Sequence, residues 1–230
     1  MTRRLLFPLV LVALLAGAIA PAGPACAQDL SGLYFGASAG RSQIGYDNSS
    51  YADQQAIIAA PYGTVQWTRY SLHKRSDAWW VNTGYMHWQY VGVEASYLHL
   101  GELTYRTSGV FTPNSAAPRT VSATTSLLSR GPALSLVLRV PVAESLDVNL
   151  RVGDYYARTT VRNGLAVTSY DVTTTSTSGS SLLLGAGASY VFDGHWSARL
   201  DFLHISGAGD AATTGRYSAG VVTLGASYTF

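Results

Sequence analysis

The final stretch of the chain, residues 217–230, constrains the fold more than any other because it alternates strictly from Val221 onward and carries no charge. A period of two predicts a β-strand with one apolar face. A soluble sheet would normally expose charged residues on its other face. An uncharged strand of this kind is typical of a wall between lipid and a packed polar interior. The apolar positions are Val222, Leu224, Ala226, Tyr228 and Phe230, and the others are Val221, Thr223, Gly225, Ser227 and Thr229.

The N-terminal stretch has the pattern of a secretory signal peptide. Two arginines precede an apolar run, residues 5–20, and an Ala-Cys-Ala sequence ends at Ala27. The run of 16 residues is short for a helix that must cross a hydrocarbon core about 30 Å thick. We expect cleavage after Ala27, which leaves residues 28–230 as the mature chain. Lipid attachment at Cys26 is the alternative, and residues 23–25 are a poor context for it.

Composition separates a barrel from an ordinary globular domain. Cleavage would remove the single cysteine and two of the 15 Lys and Arg residues, so 13 basic residues would remain against 13 acidic ones. A net charge near zero, without a basic face interleaved with aromatics, argues against a nucleic-acid partner. Charged residues make up only 12% of the chain, whereas about a quarter is usual. A secreted chain this poor in charge, with no mature apolar run long enough for a membrane helix, predicts a β-barrel.

Seven further segments alternate like the last one. Together they predict an all-β fold, a transmembrane, eight-stranded, antiparallel up-and-down β-barrel over residues 28–230. The predicted strands are residues 33–41, 77–85, 90–100, 133–140, 146–156, 182–192, 196–205 and 217–230. Three short turns lie on one side, which is the periplasmic side in such barrels. The predicted extracellular loops are residues 44–76 (with a strand extension around 65–70), 102–126, 157–180 and 207–216.

Outward-facing aromatic positions in these strands form two groups, as expected for the two membrane interfaces. Asp154 is a charged residue on the lipid face of these strands. Its position implies either a β-bulge or a place at the extracellular rim. The turn-side group is Phe35, Tyr85, Tyr190, Trp196, Tyr228 and Phe230, and the loop-side group is Trp79, Tyr97, Tyr156 and Phe202.

Two stretches resemble known outer-membrane barrels. The hairpin GYMHWQYVGVEASYLHLG, residues 84–101, is similar to a hairpin of the small OmpA-like and opacity-type barrels, with Gly-Tyr, a short turn and Gly-x-Glu-x-small-Tyr-x-x-Leu-Gly. The terminal strand resembles the last strand of such barrels in Thr223, Gly225, Tyr228 and Phe230. The resemblance implies a bacterial outer-membrane location and contact with its lipid. It also implies that the terminal pattern is an assembly signal for the barrel insertion machinery.

Five charged side chains fall on the lumen side of the predicted strands. An eight-stranded barrel is just wide enough to be filled by side chains, so these charges must meet one another or trapped water. We predict a packed ionic plug, with a conducting pore as the alternative. The resemblance to OmpA-like barrels implies a similar lumen network of carboxylates and arginines. The five residues are Glu94, Arg139, Arg151, Arg199 and Asp201.

The chain offers one candidate for catalysis and none for a metal or cofactor. The five histidines show no metal-ligand spacing. His204 and Ser206 resemble the His-x-Ser stretch of the lipid A deacylase barrels, which act on a membrane-embedded substrate. That family has a glutamate further along the chain, whereas here the nearest following carboxylate is Asp210 and residues 217–230 contain no acid.

We therefore expect a non-enzymatic outer-membrane protein. Its role would be structural in the envelope, or adhesion and host contact through the loops, where a host or envelope ligand would bind. A narrow pore for small solutes and a lipid A deacylase-like enzyme are the alternatives. The Ser/Thr-rich residues 168–181 are expected to form a solvated loop rather than a contact surface.

Overall fold

The computed structural model describes residues 32–45, 63–73, 75–114, 117–165, 171–210, 214 and 216–230. The predicted signal peptide, residues 1–27, lies outside them. No helix in this part of the chain is long and apolar enough to cross a membrane. The described residues form nine strands: β1 Gly32–Gly45, β2 Gly63–His73, β3 Arg75–Met86, β4 Val91–Pro113, β5 Arg119–Ala143, β6 Leu146–Leu165, β7 Asp171–Val191, β8 Trp196–Ala208 and β9 Tyr217–Thr229.

Eight of these strands close into a ring. The order β4-β3-β1-β9-β8-β7-β6-β5 is antiparallel throughout, and pairing of β4 with β5 joins its two ends. Closure leaves no unpaired strand edge within the ring, as a sheet in lipid requires. This confirms the predicted eight-stranded antiparallel barrel. The ninth strand, β2, pairs only with the loop-side half of β4 and lies outside the ring.

The predicted side-chain directions are correct in every ring strand. Leu134 and Leu224 are 66% and 67% exposed on the outer wall, whereas Trp80 and Tyr155 are 2% and 0% exposed in the lumen. At Asp154 the pairing of β6 with both neighbours continues without a register shift, so the bulge interpretation is wrong there. The Asp154 carboxylate is exposed and accepts a hydrogen bond from the Ser180 hydroxyl.

Two of the predicted loops are strands instead. Residues 102–126 and 157–180 belong largely to β4, β5, β6 and β7, which are 20 to 25 residues long. A membrane-spanning β-strand needs only about 9–11 residues, so these four strands continue well beyond the membrane on the loop side. Strand β2 within the predicted loop 44–76 confirms the strand extension expected around 65–70.

We call this loop-side sheet the extension and define it as β2 with residues 102–113, 119–130, 157–165 and 171–181. Its inward positions are mostly buried or half-buried and mix apolar side chains with Thr and Ser, and its outward positions are mostly Ser, Thr and Arg. Threonine has high strand propensity, and this Ser/Thr-rich run pairs with β6 along its length, so it forms part of a sheet rather than a solvated loop. The buried inward residues include Leu103, Tyr105, Phe111, Val121, Leu127 and Val161.

A β-bulge marks the base of the extension. The pairing of β4 with β5 shifts between His99 and Glu102, and Gly101 has a φ of 74°, a conformation that favours glycine. The Glu102 amide donates to the Ser76 hydroxyl at 2.9 Å, which ties the bulge to β3. Beyond the bulge β4 stays paired with β5, but its other neighbour is β2 instead of β3.

The predicted Asp193-Gly194 turn is confirmed between β7 and β8. The Asp193 carboxylate accepts hydrogen bonds from the backbone amides of His195, at 3.0 Å, and Trp196, at 2.6 Å. These two bonds stabilise the charged form and lower the pKa of Asp193. Asp193 therefore fixes the geometry of the turn at neutral pH.

The lumen divides into two layers along the barrel axis. The turn-side half is polar and charged, whereas the loop-side half is an apolar core that continues into the extension. We call the second part the apolar layer. Its larger members include Ile44, Leu98, Leu100, Leu103, Tyr105, Leu127, Tyr155, Leu183, Leu203, Ile205 and Tyr217.

Gly84 provides a test of lumen packing. A Cβ atom at this position would overlap the buried ring of Tyr34, which is held by a hydrogen bond to Glu94. Overpacking typically costs about 1–3 kcal/mol, so Gly84→Ala is expected to lower the free energy of unfolding by that amount. The measurement is urea unfolding of the refolded barrel in lipid vesicles.

The matched control for this prediction is Gly179→Ala on β7. A Cβ atom there meets nothing within 4 Å, so this variant should be neutral or slightly stabilising. Equal stability of both variants and the wild type would contradict the close packing of Tyr34 against β3.

Candidate functional site in the barrel lumen

The structure brings four of the five predicted lumen charges together. Glu94 lies on β4, Arg151 on β6, and Arg199 and Asp201 on β8. Each points inward because it occupies the lumen side of the strand alternation. Their side chains are at most 4% exposed. Arg139, the fifth, does not contact the other four through an ion pair in the described structure.

Arg151 joins the two carboxylates directly. Its Nε lies 3.0 Å from Glu94 Oε1 and its Nη1 lies 2.7 Å from Asp201 Oδ1, both with hydrogen-bond geometry. Arg199 lies on the other side of the same carboxylates, 3.6 Å from Glu94 Oε2 and 3.4 Å from Asp201 Oδ2. These longer contacts are electrostatic and lack hydrogen-bond geometry. Two cations and two anions thus alternate in a closed, formally neutral group, which we call the charge layer.

Neutral side chains also contact the charge layer. Tyr34 Oη and Asn82 Nδ2 each donate to Glu94 Oε2 at 2.8 Å. The ring of Trp80 lies 5.4 Å from the guanidinium carbon of Arg151 and 5.3 Å from that of Arg199, within cation–π range. Sequence reasoning did not assign these three residues to the network. The strand alternation that places them inward was the available signal.

Arg139 belongs to a second, more open ion pair on the turn side. Its Nε lies 3.9 Å from Asp147 Oδ2, and the two side chains are 13% and 10% exposed. Its guanidinium carbon lies 6.0 Å from the Tyr34 ring centroid. The sequence analysis missed Asp147, although it occupies an inward position two residues before Asn149 in the predicted fifth strand.

Little free space remains beside the charge layer. The gap bordered by Tyr34, Arg139, Arg151 and Arg199 measures about 10 Å³. A cavity needs roughly 10–15 Å³ to hold one water molecule, so this gap is at the lower limit for a single water. The apolar layer covers the charge layer on the loop side. The described part of the lumen around the charge layer is therefore closely packed.

The four residues of the terminal pattern have different environments. Thr223 is buried in the lumen and accepts a hydrogen bond from Trp80 Nε1 at 3.1 Å, and Gly225 packs against Ser38. Tyr228 lies on the outer wall, with its ring 5.1 Å from those of Trp196 and Phe230. Phe230 is 71% exposed. Their role as an assembly signal stays a prediction.

The structure does not assemble a catalytic group at His204. His204 and Ser206 lie on the outward side of β8, with Ser206 partly buried. In the described residues no hydrogen bond joins them, and the Asp210 amide donates to Thr214 Oγ1 at 3.0 Å. No group of three or more His, Cys, Asp or Glu side chains in the part of the chain described is placed to hold a metal ion.

A closed ring of eight antiparallel strands, with an apolar outer wall and a filled polar lumen, defines a transmembrane β-barrel. The sequence profile of the OmpA-like transmembrane domain matches residues 28–230. The chain therefore belongs to the OmpA-like family of small barrels in the bacterial outer membrane.

Relatives within the family are moderately similar. Outer membrane protein A of Serratia marcescens is 31% identical over 148 residues, which cover 64% of this chain and 37% of that protein. Outer membrane protein A of Yersinia pseudotuberculosis is 29% identical over 151 residues, covering 64% and 38%. The matched region thus spans less than two fifths of these relatives.

Solved structures align over most of the chain at low identity. Ail of Yersinia pestis, crystallised with the heparin analogue sucrose octasulfate, is 14% identical with a TM-score of 0.46 and covers 86% of this chain and 99% of its own. Neisserial surface protein A is 12% identical with a TM-score of 0.47 and covers 87% and 98%.

Glu94 provides the test of the charge layer. Glu94→Ala leaves two buried guanidinium groups with one carboxylate and removes the acceptor for Tyr34 and Asn82. Breaking a buried ion pair costs about 3–5 kcal/mol, so the variant should unfold at lower urea concentration by a corresponding amount. Glu94→Gln keeps the volume and a hydrogen-bond acceptor and should lose less.

The matched control is Glu144→Ala in the exposed turn between β5 and β6. An exposed carboxylate contributes about 0–1 kcal/mol, so this variant should unfold like the wild type. A Glu94→Ala barrel as stable as the Glu144→Ala barrel would rule out a stabilising charge layer.

A second prediction concerns Phe230. We propose that it acts in assembly, because its exposed ring has few contacts to lose in the folded barrel. Deletion of Phe230 should lower the amount of protein in the outer membrane of cells while leaving refolding in detergent nearly unchanged. Phe192→Ala is the control, since Phe192 is an exposed aromatic at the same end of the barrel and outside the terminal pattern. Normal membrane levels without Phe230 would refute the assembly role.

Proposed function

We propose that this protein is a non-enzymatic surface protein that contacts anionic polymers through the outer face of the extension. The observation that carries the proposal is the sheet that β2 and the long strands β4 to β7 raise above the barrel. A barrel that only spanned the membrane would not need strands of this length. A host or envelope polymer is the proposed partner.

The outer face of the extension is polar and basic. Its outward positions away from the membrane are mostly Ser and Thr, with exposed arginines at Arg69, Arg106 and Arg162. Among the outward side chains described on the extension, Glu102 near its base is the one acid. A basic surface attracts polyanions and accelerates their binding. We call these three arginines the basic face.

The inner face of the extension supports the same conclusion. Phe111 and Val121 are buried against Val65 and Trp67, and the apolar layer continues below them. Because its apolar side is already covered, the sheet needs no partner for stability. Its outer face is therefore free to bind a ligand reversibly.

The filled lumen argues against the alternative of a narrow pore. A solute would have to pass both the charge layer and the apolar layer, and the gap beside the charge layer measures about 10 Å³. The enzymatic alternative is also unsupported. Among the described residues, neither a carboxylate nor Ser206 lies within hydrogen-bond distance of His204. We therefore propose a closed barrel that carries a binding surface.

The closed barrel can be tested by liposome swelling. Liposomes that contain the refolded protein should swell in arabinose no faster than protein-free liposomes, because side chains fill the lumen. A general porin in the same liposomes serves as the positive control. Swelling that increases with the amount of this protein would favour the pore.

The basic face can be tested with fluorescent dextran sulfate on cells that express the protein. Arg106→Glu with Arg162→Glu should weaken binding by at least about tenfold, since each 1.4 kcal/mol of lost attraction is a factor of ten. Lysine at both positions should retain most binding and its salt sensitivity.

Arg216→Glu is the matched control, because Arg216 is exposed on the loop side but lies outside the extension. Equal binding by all variants would refute the proposal. Envelope leakage in cells that lack the protein, with unchanged probe binding, would favour the purely structural role.

A further inference from the structure

An outward-facing groove lies on the side of the barrel formed by the shorter strands β1, β3, β8 and β9, away from the extension. We call this side the short wall. It occupies about 420 Å³ between the loop-side ends of β1, β3, β8 and β9. Volumes of 300 to 1,000 Å³, roughly, are usual for sites that bind small molecules. Its lining includes Arg41, Gln43, Arg75, Phe202, Gly220 and Val222. This surface is distinct from both the lumen and the basic face.

The pairing register places apolar and cationic side chains next to each other in the groove. Val222 is the pairing partner of both Phe202 and Arg41, which places these three side chains in one row across β8, β9 and β1. In the next row toward the loops, Gln43 pairs with Gly220 on one side and Arg75 on the other. Arg41 therefore lies beside the apolar pair Phe202 and Val222, and Arg75 lies one row further toward the loops.

The groove lies where the outer leaflet meets water. Trp79, an outward aromatic of the loop-side group, pairs with Ala39. Arg41 follows Ala39 by two residues toward the loops, and Arg75 precedes Trp79 by four. Aromatic groups mark the membrane interface, so both guanidinium groups lie just beyond it, at the depth of lipid headgroups.

The two arginines have no anionic partner in the described structure. Neither guanidinium lies within 4.0 Å of a described carboxylate, although Asp77 pairs with Arg41 across the backbone. Arg41 and Arg75 beside the single carboxylate of Asp77 give this part of the groove a net positive charge. Arginine binds phosphate oxygens through two parallel hydrogen bonds, which suits a phosphorylated headgroup.

Gly220 keeps the floor of the groove open. A Cβ atom at this position would have only Phe202 Cε2, at 3.9 Å, within 4 Å. Ser218 and Gly45, which pair with each other further toward the loops, are also small. The resulting depression beside Phe202 and Val222 can hold part of an acyl chain or sugar that continues from a headgroup.

We propose that this groove binds lipid A, the phosphorylated glycolipid of the outer leaflet. Arg41 and Arg75 bind one of its phosphates, while Phe202 and Val222 contact the adjoining apolar part. Lipid A combines phosphate groups with acyl chains, and the groove likewise places its two arginines close to Phe202 and Val222. The site would fix one lipid against the short wall of the barrel.

Native mass spectrometry of the refolded barrel in detergent, titrated with lipid A from a bisphosphorylated preparation, tests the proposal. The wild type should retain one lipid A. Arg41→Gln with Arg75→Gln should bind it about tenfold more weakly, the size expected when charge-assisted hydrogen bonds to a phosphate are lost. Gly220→Leu should also weaken binding, because it fills the groove without changing any charge.

The matched control is Arg130→Gln with Arg158→Gln. These two exposed outward arginines pair across β5 and β6, on another part of the wall, and do not line the groove. This variant should bind lipid A like the wild type, and all variants should show the wild-type unfolding temperature.

Three outcomes would overturn the proposal. Equal weakening by both arginine pairs would indicate diffuse attraction to a charged surface. Unchanged binding by Gly220→Leu would show that the groove is not occupied. Phosphatidylglycerol that displaces lipid A at equal concentration would show that the site takes any anionic lipid.

Discussion

The constraint on which this structure depends is that no backbone group in lipid can bond to water. Every strand edge inside the membrane must therefore be paired, and the only sheet that achieves this is a closed one. Closure requires β9 to pair with β1, the two strands furthest apart in the sequence. With eight strands the enclosed space is narrow, so each inward side chain has to find its partners among residues of other strands. The charge layer, which links β4, β6 and β8, follows from that geometry.

Side-chain alternation was sufficient to predict the ring and much less so to predict what stands above it. The inward and outward faces of all eight ring strands, including the inward position of Glu94 and the outward position of Leu134, follow from a period of two. The extension was missed because residues 168–181 are rich in Ser and Thr, a composition shared by solvated loops and by polar-faced strands. Its buried partners on neighbouring strands decide between the two, and those partners are visible only after the fold is known.

The same limit applies to the lumen. Alternation identifies which charges face inward, but the choice of partner depends on depth along the axis and on the positions of strands around the ring. Arg139 has the same inward direction as Arg151, yet it lies nearer the turns and pairs with Asp147. Trp80 and Tyr34 were classed as inward without a role, because the contacts that give them one cross the lumen.

Because the lumen has two layers, its two ends differ in how easily water can enter. Arg139 and Asp147 are partly exposed at the turn-side end, whereas Leu100 and Tyr155 are buried toward the loop side. An apolar constriction resists filling by water even when it is wide enough to admit it. Thermal breathing of the barrel would therefore hydrate the charges from the periplasm and stop at the apolar residues. The outer membrane would therefore retain its permeability barrier at this protein even when water reached the charge layer from the turn side.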